Sequence, residues 1–463
     1  MNYDLIVIGS GPGGYVAAVR ASQLGLKTAL VEREHLGGIC LNWGCIPTKS
    51  LLKSAQVYRY LTHAADYGIS TEGAVRADFA AIVARSRSVA EGMSKGVQFL
   101  MKKNGIEVIR GVGRLTGNGT VGVTGSDGQT SSLTAKNIIL ATGARSRELP
   151  DLPQDGVRII GYRQALALPK QPKSMLVVGS GAIGSELAFF YQSVGTQVTL
   201  VEFMPQIVPL EDGEVAAQLE RSFKKAGMKV LTSSAVTSVD TSGADCRVTV
   251  KTAKGEEVLQ AEVVLSAVGI TPNIENIGLE ELNIAVEKGR IKVDGHYRTG
   301  APGVFAIGDI IPTPALAHVA SAEAIACTEY IAGLNPEPVN YRNIPGCTYT
   351  TPEIASVGMT EKSAVEAGYK VKVGKFPYAA SGKAAAAGAK DGFVKLVFDE
   401  EYGELLGAHL IGENVTEMLG GLVVARNMEV TAHELIKSVH PHPTLSEAIM
   451  EAAAAAWGEA IHI

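Results

Sequence analysis

The stretch Gly37–Lys49 reads GGICLNWGCIPTK and carries Cys40 and Cys45, in a chain of 463 residues with only five cysteines. Two thiols so placed can ligate a metal, cross-link the chain, or open and close as a redox pair. A zinc site needs two further ligands at recognisable spacing, and no second paired-cysteine motif exists. A static cross-link around so short a loop gains little chain entropy, and five cysteines do not make a secreted disulfide framework. A redox pair fits best. Cys45 precedes IPTKSLLKSAQVYRYL, a helix-compatible stretch with proline just inside its start and Lys49 one turn on. Helix N-terminus and lysine both favour the thiolate.

Exchange with a dithiol also needs a base, because the attacking sulfur reacts as the thiolate. The distant HPHPTLSE offers His440 and His442, whose side-chain type titrates near neutrality. Thr444 to Glu447 reads as a capping box opening the last helix, with Glu447 closed back on the Thr444 backbone. A two-histidine metal site lacks further ligands, so no metal is expected. Asp309 ends the strand-like VFAIGD, where it either binds a ligand at the carboxyl end of a sheet or caps the next turn.

The elements that must position these groups appear twice. DLIVIGSGPGGYVAAVRASQLGLKTALVE and MLVVGSGAIGSELAFFYQSVGTQVTLVE align so that Gly9, Gly11, Gly14, Gly25 and Glu32 fall on Gly179, Gly181, Gly184, Gly195 and Glu202, always 170 residues apart. Strand, GxGxxG turn, small-residue helix and a second strand ending in glutamate make a βαβ dinucleotide-binding unit. The turn brings backbone and helix N-terminus to a pyrophosphate, and the glutamate reaches ribose hydroxyls. Glu202 repels a 2′-phosphate and the following FMPQIVP holds no arginine, so NAD is favoured over NADP. Further strands end in glycine at NIILATGA and VVLSAVGI.

The chain is therefore α/β, with two Rossmann-like units and a mixed C-terminal region. Divisions are expected at RELPDLPQDG, at Thr271-Pro272 and near PGCTYTTPEIASVG, giving residues 1–149, 150–272, 273–345 and 346–463. A net charge of −5 and pI near 6.0 leave no basic footprint for nucleic acid or an anionic membrane surface. No apolar run has the length of a membrane span. The N-terminus enters a strand-like run at once, and a reducing, cytoplasmic setting is expected, or an organelle's matrix or stroma after loss of a transit peptide.

GGICLNWGCIPTK, the NAD-type second unit and HPHPTLSE together resemble the flavin-dependent pyridine nucleotide–disulfide oxidoreductases, nearest to their dihydrolipoamide-oxidising branch, over essentially the whole chain. The resemblance implies that the first unit, with residues 273–345, binds FAD through Gly9, Gly11, Gly14, Glu32, Lys49, Gly113, Thr142, Gly143, Ala144, Asp309 and Ala317. It implies NAD on Gly179, Gly181, Gly184, Glu186, Glu202, Val236 and Gly269. Cys45 would face the flavin and Cys40 the substrate. Lys49 and Glu186, by themselves a solvated lysine and a helix-dipole glutamate, would pair beside the flavin; Glu447 would orient His442. Residues 346–463 would form the dimerisation domain of a homodimer, each His442 loop reaching the neighbouring subunit's cysteines across it, with His442-Pro443 cis. The expected partners are a lipoylated protein and the other subunits of a 2-oxoacid dehydrogenase or glycine cleavage complex. Trp43 and Pro441 depart from the valine and alanine common at those places, and Cys246, Cys327 and Cys347 are expected to be inert.

Overall fold

The computed structural model describes residues 2–463. Its first apolar run is a central strand, paired along both edges: Asn2–Ile8 lies parallel to Thr28–Glu32 on one side and to Thr130–Leu140 on the other. Glu107–Arg110 extends the sheet beyond Thr28–Glu32. Val304–Ala306 joins the far side of Thr130–Leu140, so the chain returns to its first sheet after a long excursion. Small residues let helix Pro12–Gln23 press against helix Ala317–Ile331; a Cβ on Gly13 would lie 3.3 Å from the Ala320 carbonyl oxygen.

That excursion is the second unit. Ser174–Val178, Gln197–Val201, Lys229–Leu231, Val263–Ser266 and Ile159–Ile160 form its parallel sheet, with helix Ala182–Ser193 following the glycine turn. A three-stranded antiparallel sheet, 235–261, packs against it through Cys246, Val248 and Val250. The segments that carry the chain in and out, Ala144–Ser146 and Ile270–Pro272, pair with each other as an antiparallel ribbon.

The C-terminal sheet is antiparallel, in the order Gly346–Thr348, Glu353–Gly358, Leu405–Gly412, Phe393–Asp399, Val371–Pro377. Helix Glu447–Ala456 lies directly on it, which explains the alanine run. A Cβ on Gly374 would stand 1.8 Å from the Ala452 carbonyl oxygen, and Ala452 and Ala453 are fully buried. One buried cation ties this sheet to the second unit. Lys395, 2% exposed, meets Asp212 at 3.1 Å, Glu214 at 2.8 Å and Glu361 at 2.9 Å. Among the described residues no helix is long and apolar enough to cross a membrane, and no histidine, cysteine or carboxylate cluster could hold a metal ion.

Candidate functional site

The two glycine turns are built alike. Gly9 has φ +98° and Gly179 φ +94°, and a Cβ on either would sit 2.3 or 2.5 Å from the carbonyl oxygen of Ala141 or Ala267. Gly11 and Gly181, by contrast, face open space, where a ligand can come close to the backbone. Gly14 and Gly184 press on the carbonyl oxygens of Gly9 and Gly179 at a notional 1.8 and 1.9 Å.

The glutamates are held alike too. One Glu32 oxygen accepts from Ser10 N at 2.9 Å and Ser10 Oγ at 2.6 Å, the other from Glu34 N at 2.7 Å. In the second copy Glu202 accepts from Ser180 N at 2.7 Å, Ser180 Oγ at 2.6 Å and Met204 N at 2.8 Å. Each carboxylate is thereby fixed as an acceptor at the end of its strand. Ser10 and Ser180 were not singled out by motif reading, although they obey the same spacing of 170.

A cavity of about 1260 Å³ opens on the first turn. Gly9, Gly11 and Glu32 line it, and so do Cys40, Cys45, Lys49 and Glu186. Gly113, Thr142, Gly143, Ala144, Asp309 and Ala317 also line it. Gly113 leaves little room for a side chain, since a Cβ would lie 3.0 Å from Ile8 and Val31 methyls. Asp309, on the turn Gly308–Ile310, is half-buried and its carboxyl has no protein hydrogen bond among the described residues. Desolvation raises its pKa from the ordinary value, against the opposing charge of Arg290. A half-buried carboxyl without a protein hydrogen bond, lining a large cavity, suits a ligand's hydroxyl groups. Size, glycine turn and acceptors all fit an extended dinucleotide such as FAD.

Cys40 lies on the short helix Gly38–Trp43, Gly44 breaks it, and Cys45 begins the helix Cys45–Thr62. A hydrogen bond from the Cys40 thiol holds Cys45 below the ordinary thiol value, against burial and with help from Lys49. The same bond and burial push Cys40 well up. The two sulfurs are thus unequal: the surroundings favour the thiolate at Cys45 over Cys40.

Lys49 Nζ meets both Glu186 carboxylate oxygens, at 3.0 and 2.9 Å, bridging the two glycine-turn units. Tyr349 completes this corner unannounced by any motif: its N–H donates to Glu186 at 3.0 Å and its ring lies 4.2 Å beneath Lys49. Trp43 lines the cavity under two guanidinium groups, Arg87 at 4.3 Å and Arg163 at 5.4 Å from the ring centroid. Arg163 in turn forks onto Glu34 at 2.9 and 3.0 Å. Cys246 and Cys327 are buried, whereas Cys347 lines the cavity, its thiol pushed up to about 11 by burial.

Of the second group of residues, Glu186 alone lines that cavity. Gly179, Gly181, Gly184 and Glu202 form their own turn, Gly269 (φ +111°) follows Val263–Ser266, and Val236 lies half-buried on Ala235–Asp240. Nor does His442 line the cavity of its own chain. His442 Nδ1 bonds Glu447 Oε1 at 2.9 Å, with the ring 77% exposed. Glu447 Oε2 accepts from Thr444 N at 2.8 Å, so this carboxylate closes on the backbone and on the histidine together. The Thr444 capping box is corrected in part. The helix begins at Glu447 with Ser446 as its N-cap, and the Thr444 hydroxyl donates to the Pro441 carbonyl instead. His440 bonds the Ser438 carbonyl at 2.9 Å. His442-Pro443 is cis, as is Thr351-Pro352, which sequence reading did not single out.

Residues 3–324 match the family described as pyridine nucleotide-disulphide oxidoreductase, and residues 344–453 match its dimerisation domain. The chain is 51% identical to the dihydrolipoyl dehydrogenase of Zymomonas mobilis, over 100% of this chain and 99% of the relative. Identity to that of Bacillus subtilis is 43%, over 99% of both. Among solved structures, LpdA from Mycobacterium tuberculosis superposes with a TM-score of 0.89 at 29% identity, covering 97% of this chain and 98% of the other.

Proposed function

The chain belongs to the pyridine nucleotide-disulphide oxidoreductases, and from that premise we propose that it oxidises protein-bound dihydrolipoamide to lipoamide with NAD⁺ as acceptor. The observation that carries this reading is the single cavity shared by the Cys40–Cys45 pair, the Lys49–Glu186 bridge and the first glycine turn.

Residues 1–149 and 273–345 form the FAD module, 150–272 the NAD module, and 346–463 the dimerisation domain of a homodimer. Gly9, Gly11 and Gly14 would hold the FAD pyrophosphate, Glu32 its adenosine ribose and Asp309 its ribityl hydroxyls, with Gly113, Thr142, Gly143, Ala144 and Ala317 lining the rest. When bound, FAD supplies a carrier that passes two electrons from the reduced cysteine pair to NAD⁺. The NAD site uses Gly179, Gly181, Gly184, Glu186, Val236 and Gly269, with Glu202 taking the ribose hydroxyls.

The chain's own residues manage thiols and protons. His442 of one subunit, its Nδ1 fixed by Glu447, accepts a substrate thiol proton on Nε2 and is stabilised as the cation by that carboxylate. The substrate thiolate attacks Cys40. The Cys40–Cys45 bond breaks, Cys45 leaves as the thiolate, and the second substrate sulfur displaces Cys40 to close lipoamide. Cys45 suits the leaving role because the Cys40 hydrogen bond and Lys49 stabilise its anion. Lys49 and Glu186 hold their module faces together beside the pair. As a shared component, the enzyme serves 2-oxoacid dehydrogenase or glycine cleavage complexes in the cytoplasm or an equivalent compartment.

Steady-state turnover tests this. Activity with dihydrolipoamide and NAD⁺ is expected, with little on NADP⁺ or reduced glutathione. Preference for glutathione and NADP⁺ would move the chain to another branch of the family.

A further inference from the structure

The helix Glu447–Ala456 carries a second histidine–carboxylate pair. After Gly458, which adopts φ +72°, the last residues fold back along the helix, and His462 Nδ1 reaches Glu451 Oε1 at 2.6 Å. The other Glu451 oxygen accepts from the N–H groups of Ile461 at 3.1 Å and His462 at 3.4 Å. Glu451 is buried, at 6% side-chain exposure, while the His462 ring is 67% exposed. The pair repeats the chemistry of His442 and Glu447: Nδ1 on a carboxylate, Nε2 outward and without a protein partner among the described residues. Glu447 and Glu451 stand four residues apart, hence one turn along one helix face, about 6 Å by the helical rise.

We propose that His462, oriented by Glu451, is a proton relay that takes the thiol proton from His442 and delivers it to solvent. This rests on the function proposed above. The overall exchange converts a dithiol and NAD⁺ into a disulfide and NADH. Two electrons and one proton leave with NADH, so one proton per turnover must leave the protein. His442 holds it first. Its Nδ1 is occupied by Glu447, and the outward imidazole held by Glu451, the carboxylate one helical turn on, offers the next acceptor.

The surrounding charges are otherwise engaged. The helix packs on strands 371–377 and 393–399 and on helix Ala432–Lys437. There Lys372 lies over the Trp457 ring, Lys375 pairs with Glu214, Lys395 with three acids, Asp399 accepts from Tyr402 N, and Glu434 caps Thr431. His433 and Lys437 make no contact with this pair among the described bonds. His462 acts through His442, and Glu451 is a positioning residue.

The test uses the flavin-loaded dimer in dilute buffer and in buffer supplemented with imidazole. A group one step from the reacting proton is worth less than the roughly 10²-fold of a direct base, so His462→Gln should lower kcat about tenfold in dilute buffer. Added imidazole should restore it, with thermal midpoint and flavin content unchanged. Glu451→Gln should share the loss and the rescue. If it loosens the tail, His462→Gln alone retains the test, since that ring is mostly exposed. Normal kcat in His462→Gln, or a loss that imidazole does not repair, overturns the relay and leaves a tail anchor. A wild-type protein inactive on dihydrolipoamide overturns the underlying function instead.

Discussion

Replacing Lys49 by methionine removes the cation nearest the redox pair while keeping the length of the side chain. Its charge lowers the Cys45 pKa, whereas Glu186 raises it. Loss of Lys49 therefore moves Cys45 upward twice, by deleting the favourable charge and by unmasking a carboxylate that is 5% exposed. A charge within 4–6 Å shifts a pKa by about 1–3 units. Lys49 is itself 34% exposed, and solvent screening places the effect at the lower end, about one unit or about 1.4 kcal/mol of thiolate stability. Glu186→Gln leaves Lys49 uncompensated and should shift Cys45 the other way. The assay is the pH dependence of iodoacetamide alkylation in the reduced protein, with the Cys45 peptide followed by mass spectrometry. An unchanged midpoint in Lys49→Met, or a rise in Glu186→Gln, would refute the electrostatic coupling.

Lys395→Met strands the buried Asp212 without its cation, and breaking such a pair costs about 3–5 kcal/mol; the denaturant midpoint should fall with no change in the flavin spectrum. Glu202→Ala leaves the Ser180 and Met204 N–H groups without their acceptor. With charged hydrogen bonds worth about 1.5–3 kcal/mol, KM for NAD⁺ should rise about 10- to 100-fold, and the preference over NADP⁺ should shrink. Gly38→Ala forces a Cβ to 2.6 Å from Gly11 Cα at φ +58°, and purified protein should contain less FAD by its visible absorbance. Full occupancy there would show that the turn can yield.

The glycine turns and their glutamates are legible in sequence because their causes are local: a positive φ at Gly9, a helix pressed on Gly14, a carboxylate at a strand's end. Longer reach defeats such reading. Val304–Ala306 belongs to the first sheet, and Ala144–Ser146 pairs with Ile270–Pro272, across separations that no periodicity encodes. Tyr349 reaches Glu186 from 163 residues away. Residue types alone left Lys49 with a solvated role and Glu447 with a capping role; the fold gives Lys49 the Glu186 carboxylate and Glu447 both bonds. Trp43, an odd residue in a family motif, acquires a place only when Arg87 and Arg163 close on its ring. Ser10 and Ser180 were readable from the repeat itself, because the spacing that matches the glycines matches them as well.

The inequality of the two sulfurs is the central claim, and anaerobic reduction of the flavin-loaded dimer with one equivalent of dihydrolipoamide tests it most directly. The two-electron-reduced protein should show a long-wavelength thiolate–flavin absorbance, lost in Cys45→Ser and kept in Cys40→Ser. A plain bleaching of the flavin in the unaltered protein, or a band that survives Cys45→Ser, would contradict the relay.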